Sequence, residues 1–415
     1  MEKLALFGGK PIRKEFLVFG APDIKEKEIK EVVATLKSGW LSTGPRVAKF
    51  EEDFKNYIGC KHAIALNSCT AGLHLALEIA GIGRGDEVIT TPLTFASTAN
   101  VIIHQGATPI FVDVEKETGN IDPQRIEEFI KKKCKVNTRT GQLANRQTGQ
   151  LLKAIIPVHL YGRPCKMDEI MKIAKENNLL VIEDAAHAVE TYYKGKKIGN
   201  IGDLTAFSFY ATKNVVTGEG GMLTTNNDEW TKRLRVLRLH GLSKDAWKRY
   251  SQEGFTPYDI LYPGYKYNMM DIQAAIGIHQ LKRVEENLKI REKYFRMYNK
   301  AFSSTSEIKI PIEEENIRHA RHLYTILLKL EKLKCDRNQM VVALQAENIG
   351  IGIHFLTIHL SSYYKKRFGF KKEDFPQAEY ISDRTLSLPL STKLTEEDIN
   401  DVIEAVRKVI KHYKR

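Results

Sequence analysis

Between Lys61 and about Asp228 one unit of organisation recurs: a short run rich in β-branched residues, then apolar residues at helical spacing, then another short run. Strands alternating with helical patterns wind a mainly parallel sheet, because a parallel neighbour is reached only through a crossover. The predicted strands are His62–Leu66, Glu87–Thr91, Thr108–Val114, Ala154–Leu160, Leu180–Glu183, Thr205–Tyr210 and Gly221–Thr225, with helices such as Ala71–Ile79 and Met167–Asn177 between them. Open sheets of this kind bind ligands beyond the carboxyl ends of their strands. Polar residues that follow those ends are therefore the first candidates for a site.

At 415 residues the chain is too long for one small domain, and no low-complexity linker cuts it into modules. The expected division is an N-terminal arm over residues 1–24, a large α/β unit over 25–270, and a linking helix with a smaller α+β unit over 271–415. Past Asp271 the pattern predicts one long helix to about Ala301, strands near His322–Leu330 and Gly352–His354, and a closing amphipathic helix over Glu396–His412. Lys131–Lys153 breaks the rhythm. It is basic, lacks acidic residues and holds Thr-Gly-Gln-Leu at both Thr140 and Thr148, which predicts an inserted hairpin or loop.

Composition excludes several classes. With 42% hydrophobic and 28% charged residues the chain has the apolar content for a sizeable core, and no run approaches the roughly 18 apolar residues of a bilayer span. The opening Met1-Glu2-Lys3-Leu4 does not begin a signal peptide, so the expected location is the cytoplasm with no membrane partner. Five scattered cysteines without a CxxC pair, and no histidines at ligand spacing, indicate neither a disulfide framework nor a metal. The formal charge of +13 is spread along the chain without a nucleic-acid signature, so it is assigned to solvated helix faces and to attraction of a polyanionic small substrate.

Three strand ends carry chemistry. After the strand ending near Tyr210, Lys213 sits in a turn closed by Gly218-Glu219-Gly220-Gly221. A lysine there is a surface residue if taken alone; a buried one has its pKa lowered and becomes a nucleophile and proton carrier. Leu180-Val181-Ile182-Glu183-Asp184-Ala185-Ala186-His187 is an apolar strand ending in acids and small residues. Asp184 there either caps a helix or faces a protonated ring nitrogen, and His187 either caps or touches a ring hydroxyl. Asn67-Ser68-Cys69-Thr70-Ala71-Gly72 opens a helix with free N–H groups, the outline of a phosphate cradle. Phe95 follows a fourth strand, where it packs in a core or stacks on a cofactor.

Taken in order, Gly39-Trp40-Leu41-Ser42-Thr43-Gly44-Pro45, Ser68–Gly72, Glu183–His187, Ser208–Lys213 with Gly218–Gly221, and Tyr265-Lys266-Tyr267-Asn268 resemble the DegT/StrS-type sugar aminotransferases over nearly the whole chain. Gly350–Phe355, His359, Tyr363-Tyr364 and Leu386–Leu390 run similarly to the UDP-4-amino-4-deoxy-L-arabinose aminotransferase subgroup. The resemblance implies an α/β pyridoxal-phosphate enzyme of fold type I, acting as a homodimer with shared active sites. It implies Lys213 as Schiff-base lysine, Asp184 at the pyridine nitrogen and Phe95 against the ring. Thr70, Ala71 and Ser208 would hold the phosphate with Asn268 of the second subunit. Many relatives carry histidine at Tyr210 and tryptophan at Phe95, and the 131–153 insertion is not part of the usual pattern.

The expected reaction is ping-pong amino transfer from glutamate, leaving 2-oxoglutarate, to a nucleotide-linked keto sugar. Lys266, Arg321, His322, His354 and His359 are the candidate sugar-nucleotide contacts, with Thr43 in the segment that borders the sugar. Two alternatives share the fold: a sugar dehydratase, which replaces the lysine with histidine and is disfavoured by Lys213, and a non-enzymatic regulator, for which no helix-turn-helix pattern is present.

Overall fold

The computed structural model describes residues 3–138, 140–243 and 259–415. Met1 and Glu2 of the arm and Arg139 of the 131–153 segment lie outside them. Chain order gives strands β1 (His62–Leu66), β2 (Asp86–Thr90), β3 (Thr108–Phe111), β4 (Cys134–Val136), β5 (Leu143–Asn145), β6 (Leu151–Ile155), β7 (Leu180–Asp184), β8 (Tyr192–Tyr193), β9 (Lys196–Lys197), β10 (Leu204–Ser208) and β11 (Gly221–Thr225). The main sheet is ordered β1-β11-β10-β7-β6-β2-β3. Neighbours from β10 through β7, β6 and β2 to β3 are parallel, while β11 is antiparallel to both β10 and β1.

Along this path only β11 runs backwards, so β1, β2, β7 and β10 all point their carboxyl ends the same way. That shared edge is where the site forms. Both faces are covered, so β2, β10 and β11 are buried at every position and β7 at all but its first, rather than on alternate residues. One face packs on helices Pro45–Ile58, Pro123–Lys133, Met167–Glu176 and Asp271–Lys282 through Phe50, Phe54, Ile126, Ile170 and Ile278. The other packs on Cys69–Ile79, Ala96–His104 and Asp228–Leu237 through Leu73, Leu77, Val101 and Leu234.

A second core lies in the C-terminal part, where β12 (Ile308–Lys309), β14 (Tyr324–Leu328) and β15 (Thr385–Leu388) form a three-stranded antiparallel sheet. Helices Val284–Phe302, Arg337–Ala346 and Glu396–Tyr413 close it around Tyr298, Tyr324, Ile326 and Val406. The small strand β13 (Ile317–Arg318) instead joins β8 and β9. The arm packs on this part: Leu17 N–H donates to the Asn348 carbonyl at 2.8 Å, and Gly350 N–H returns a bond to the Leu17 carbonyl.

Several predicted boundaries change. The long helix after Asp271 is two helices meeting at Arg283, whose backbone leaves the helical region at φ −111°, ψ 10°. Its guanidinium is held there by Asp23 and Glu28. The strand expected at Ala154–Leu160 starts at Leu151 and stops at Ile155, because Pro157 has no N–H for the ladder. Gly352–His354 forms no strand, only a single bridge from Gly352 to Ser387. Lys131–Lys153 holds the β4–β5 hairpin; Asn145 and Thr148 both donate to Glu87, a buried carboxylate on β2. Among the described residues no helix is long and apolar enough to cross a membrane, and no cluster of histidine, cysteine and acidic residues could hold a metal.

Candidate active site

A cleft of about 550 Å³ opens over the carboxyl ends of β1, β2, β7 and β10, walled on the far side by the arm and the C-terminal part. Strand β10 delivers Ser208 and, five residues on, Lys213; β7 delivers Asp184 and then His187. The turn after β1 brings Ser68, Cys69 and Thr70, and the one after β2 brings Phe95. These turns lie together because Gly221, the first residue of β11, has no side chain. A Cβ there would stand 2.4 Å from the Ser68 carbonyl carbon and 2.5 Å from Cys69 N.

The electrostatics follow from burial. The Lys213 amine lies deep among protein atoms, and burial pulls its pKa down to about 8, against a smaller upward pull from Cys69 and Asp184. Burial pushes the Asp184 carboxyl up, opposed by the Thr98 hydroxyl that donates to it at 2.8 Å, by the Ala186 N–H, and by the charge of Lys213. Thr94 donates to Thr98 in turn at 2.8 Å. Lys213 and Asp184 form no direct ion pair among the described residues, although each feels the other's charge. Cys69 beside them is pushed well up by burial and stays a thiol.

Three imidazoles complete the wall. The His187 and His322 rings lie 4.4 Å apart, and His354 bonds the Ser387 hydroxyl at 2.8 Å. Burial, reinforced by Lys213, holds His187 and His322 well below the usual histidine range and His354 at about 4, so all three are neutral near pH 7.

Of the residues singled out from sequence, Thr70, Phe95, Asp184, His187, Ser208, Lys213, His322 and His354 line this cleft. Phe95 is 63% exposed, its ring 6.2 Å from Phe355, an open aromatic face rather than a core residue. Ala71 does not line it; its N–H is taken by the Ser68 hydroxyl, 3.1 Å away, which caps the helix. Cys69 and Thr70, the first two helical residues, have N–H groups with no intrahelical acceptor.

The others lie elsewhere. Thr43 is buried, donating to the Met269 carbonyl at 2.6 Å and accepting from Asn268 Nδ2 at 2.7 Å, and the neighbouring Gly44 N–H caps onto Asp271. Asn268 is 8% exposed, and its Oδ1 has no partner among the described residues. Lys266 is exposed away from the cleft. His359 is fully buried against Glu379 at 3.1 Å, and Arg321 pairs with Glu313 at 2.7 Å. Sequence reasoning missed Thr98, Asn214, Glu190, Arg291 and Phe355. Thr98 was legible only as the residue one helical turn after Thr94, and Asn214 only as the neighbour of Lys213.

A half-buried amine and a buried carboxylate that line one cleft without an ion pair between them, beside an open aromatic face and a helix N-terminus, fit a flat, phosphorylated, nitrogen-bearing ring. Those are the parts of a pyridoxal-phosphate site of the fold-type I class. Over residues 22–407 the chain matches the DegT/DnrJ/EryC1/StrS aminotransferase family, and it belongs to that family. It is 50% identical to the spore coat polysaccharide biosynthesis protein SpsC of Bacillus subtilis, over 96% of this chain and 98% of that one. It is 52% identical to the uncharacterized protein MJ1066 of Methanocaldococcus jannaschii, over 96% and 99%. The PMP-form of the putative sugar aminotransferase Spr1654 from Streptococcus pneumoniae superposes with a TM-score of 0.85 at 33% identity, covering 95% of this chain and 99% of that one. The chain is a pyridoxal-phosphate-dependent sugar aminotransferase.

Proposed function

We propose that the chain moves an amino group from glutamate to the keto carbon of a nucleotide-linked 4-keto sugar, with UDP as the nucleotide and 2-oxoglutarate as co-product, for a surface polysaccharide or lipid-linked sugar. The observation that carries this is the Lys213 amine, placed in the cleft with its pKa near 8 and no ion pair to hold it among the described residues. When bound, pyridoxal phosphate supplies an electron sink for the carbon that loses its proton.

The chain's own groups do the rest. Lys213 would hold the cofactor, and its amine would carry the proton, a task its lowered pKa suits near neutrality. Asp184, oriented by Thr98 and Ala186 N–H, would keep the ring nitrogen protonated. Phe95 would cover the ring. The Cys69 and Thr70 N–H groups and Ser208 hold the phosphate, with Ala71 fixed by its cap rather than free. Neutral His187, His322 and His354 meet the sugar side, and the +13 surplus attracts the diphosphate.

A second copy of the chain completes the site. Supporting this, Asn268 keeps a buried Oδ1 with no partner among the described residues, and Ile29, Val33 and Leu36 leave an exposed apolar stripe along helix Glu26–Ser38 beside exposed Leu41 and Met270. The cytoplasm is the proposed location, in keeping with five unpaired cysteines. SpsC supports the polysaccharide assignment by its name alone. Mass spectrometry after incubation with glutamate and UDP-, dTDP- or GDP-linked 4-keto sugars tests the proposal. The expected product is an amino sugar on UDP; an unchanged panel refutes the sugar-nucleotide assignment.

A further inference from the structure

Behind His322 runs a chain of hydrogen bonds that the reaction as described does not use. His322 Nδ1 lies 2.9 Å from Asn214 Oδ1. Asn214 Nδ2 donates to Glu190 Oε2 at 2.8 Å and to the Ala320 carbonyl at 3.1 Å. Arg291 donates to the other Glu190 oxygen, and both residues are buried.

The direction of this chain is fixed. Arg291 holds Glu190 as a carboxylate against the burial that pushes its pKa up, so turning the Asn214 amide over would set its oxygen against a carboxylate and a carbonyl, three acceptors without a proton among them. Oδ1 must therefore face His322, and Nδ1 of that ring must carry the proton. Its Nε2 is left bare and makes no hydrogen bond among the described residues. His187 is the opposite case. Its Nδ1 accepts the Tyr161 N–H at 3.2 Å, so its proton sits on Nε2. Two neutral imidazoles 4.4 Å apart thus present one acceptor and one donor to the same cleft.

We propose that Glu190 and Asn214 are positioning residues that lock His322 as an acceptor at Nε2, and that this nitrogen accepts a hydrogen bond from a hydroxyl of the sugar being aminated. The second half rests on the sugar-aminotransferase reading; the first does not. An acceptor that cannot become a donor reads a hydroxyl and rejects a carbonyl at that position.

The test uses the holoenzyme with nitrogen-15 histidine, in which protonated and bare ring nitrogens separate by shift and His322 is assigned by its own replacement. Glu190→Gln supplies a donor in place of an acceptor and lets the amide pair turn over. Asn214→Leu removes the acceptor while leaving the Glu190–Arg291 pair intact, should the first variant fold poorly. The wild type is expected to show His322 protonated at Nδ1, and the variants to shift the proton toward Nε2. They should also slow the keto-sugar half-reaction about tenfold more than the glutamate half-reaction, the size of one net hydrogen bond. A wild-type proton on Nε2, or a tautomer unmoved in both variants, overturns the lock. A moved tautomer with both half-reactions slowed equally overturns the hydroxyl contact. A wild type that aminates no sugar refutes the proposed function, while the tautomer spectra still decide the lock.

Discussion

Lys213 should react as a neutral amine near pH 8 in the cofactor-free protein, far below where an ordinary lysine does. Its pKa of about 8 arises chiefly from burial, against an ordinary value of 10.5. At pH 7 the neutral fraction is then about 9%, against about 0.03% for an unperturbed lysine, a gain of about 300-fold in nucleophile. The assay is reductive alkylation with a small uncharged aldehyde across pH 6–11, reading the Lys213 peptide by mass spectrometry. Because the folded pKa is depressed, labelling should climb through about pH 8 and be flat by pH 10. Asp184→Asn removes an anion that holds the amine protonated, so it should move the midpoint lower still. A midpoint near 10.5, or one that Asp184→Asn raises, would refute the account of how this lysine is activated.

Thr98→Val removes the hydroxyl that donates to Asp184 at 2.8 Å and should lower kcat about tenfold with KM for the sugar little changed, measured by steady-state kinetics. Gly221→Ala forces a Cβ to within 2.5 Å of the Ser68–Cys69 backbone and should cost about 2 kcal/mol or more of stability and weaken cofactor affinity, read by denaturant unfolding and cofactor titration. Mixing Lys213→Ala and Asn268→Ala chains should restore part of the activity that each lacks alone; no recovery would place Asn268 outside a shared site.

What the sequence disclosed was whatever lies on a strand end. Asp184, Ser208 and Lys213 each follow an apolar run, and a parallel sheet carries such ends to one edge whatever the details of packing. What it concealed depended on tertiary partners. His359 and Arg321 resemble substrate contacts until Glu379 and Glu313 are seen beside them. Thr43 lies in a family motif, yet its hydroxyl is spent on Met269 and Asn268. The break at Arg283 has no local signal either: neither proline nor glycine stands there, and the guanidinium is held by Asp23, from the arm, and by Glu28. Glu190 and Asn214 were invisible for the same reason, since a network spanning β7's exit, the lysine turn and helix Val284–Phe302 exists only once the chain has closed.

The placement of Lys213 and Asp184 has an energetic consequence. Lys213 and Asp184 sit in one cleft without pairing, and each is destabilised by burial in its charged form. Their separation leaves the native state carrying costs that a bound cofactor with complementary charge relieves, so stability and occupancy must be linked. A ligand at a thousand times its Kd stabilises by about 4 kcal/mol. Pyridoxal phosphate should therefore raise Tm strongly, whereas inorganic phosphate, which engages only the helix end, should raise it little. Asp184→Asn should remain folded and bind, yet lose part of the rise, because the carboxylate proposed to face the ring nitrogen is gone. Lys213→Met removes a buried amine, so its cofactor-free form should melt at or above the wild type near pH 7, with the difference shrinking as pH passes 8 and the wild-type amine loses its charge. A cofactor-free Lys213→Met that melts well below the wild type at pH 7 would show that the lysine stabilises the empty cleft, and the linkage argued here would be wrong.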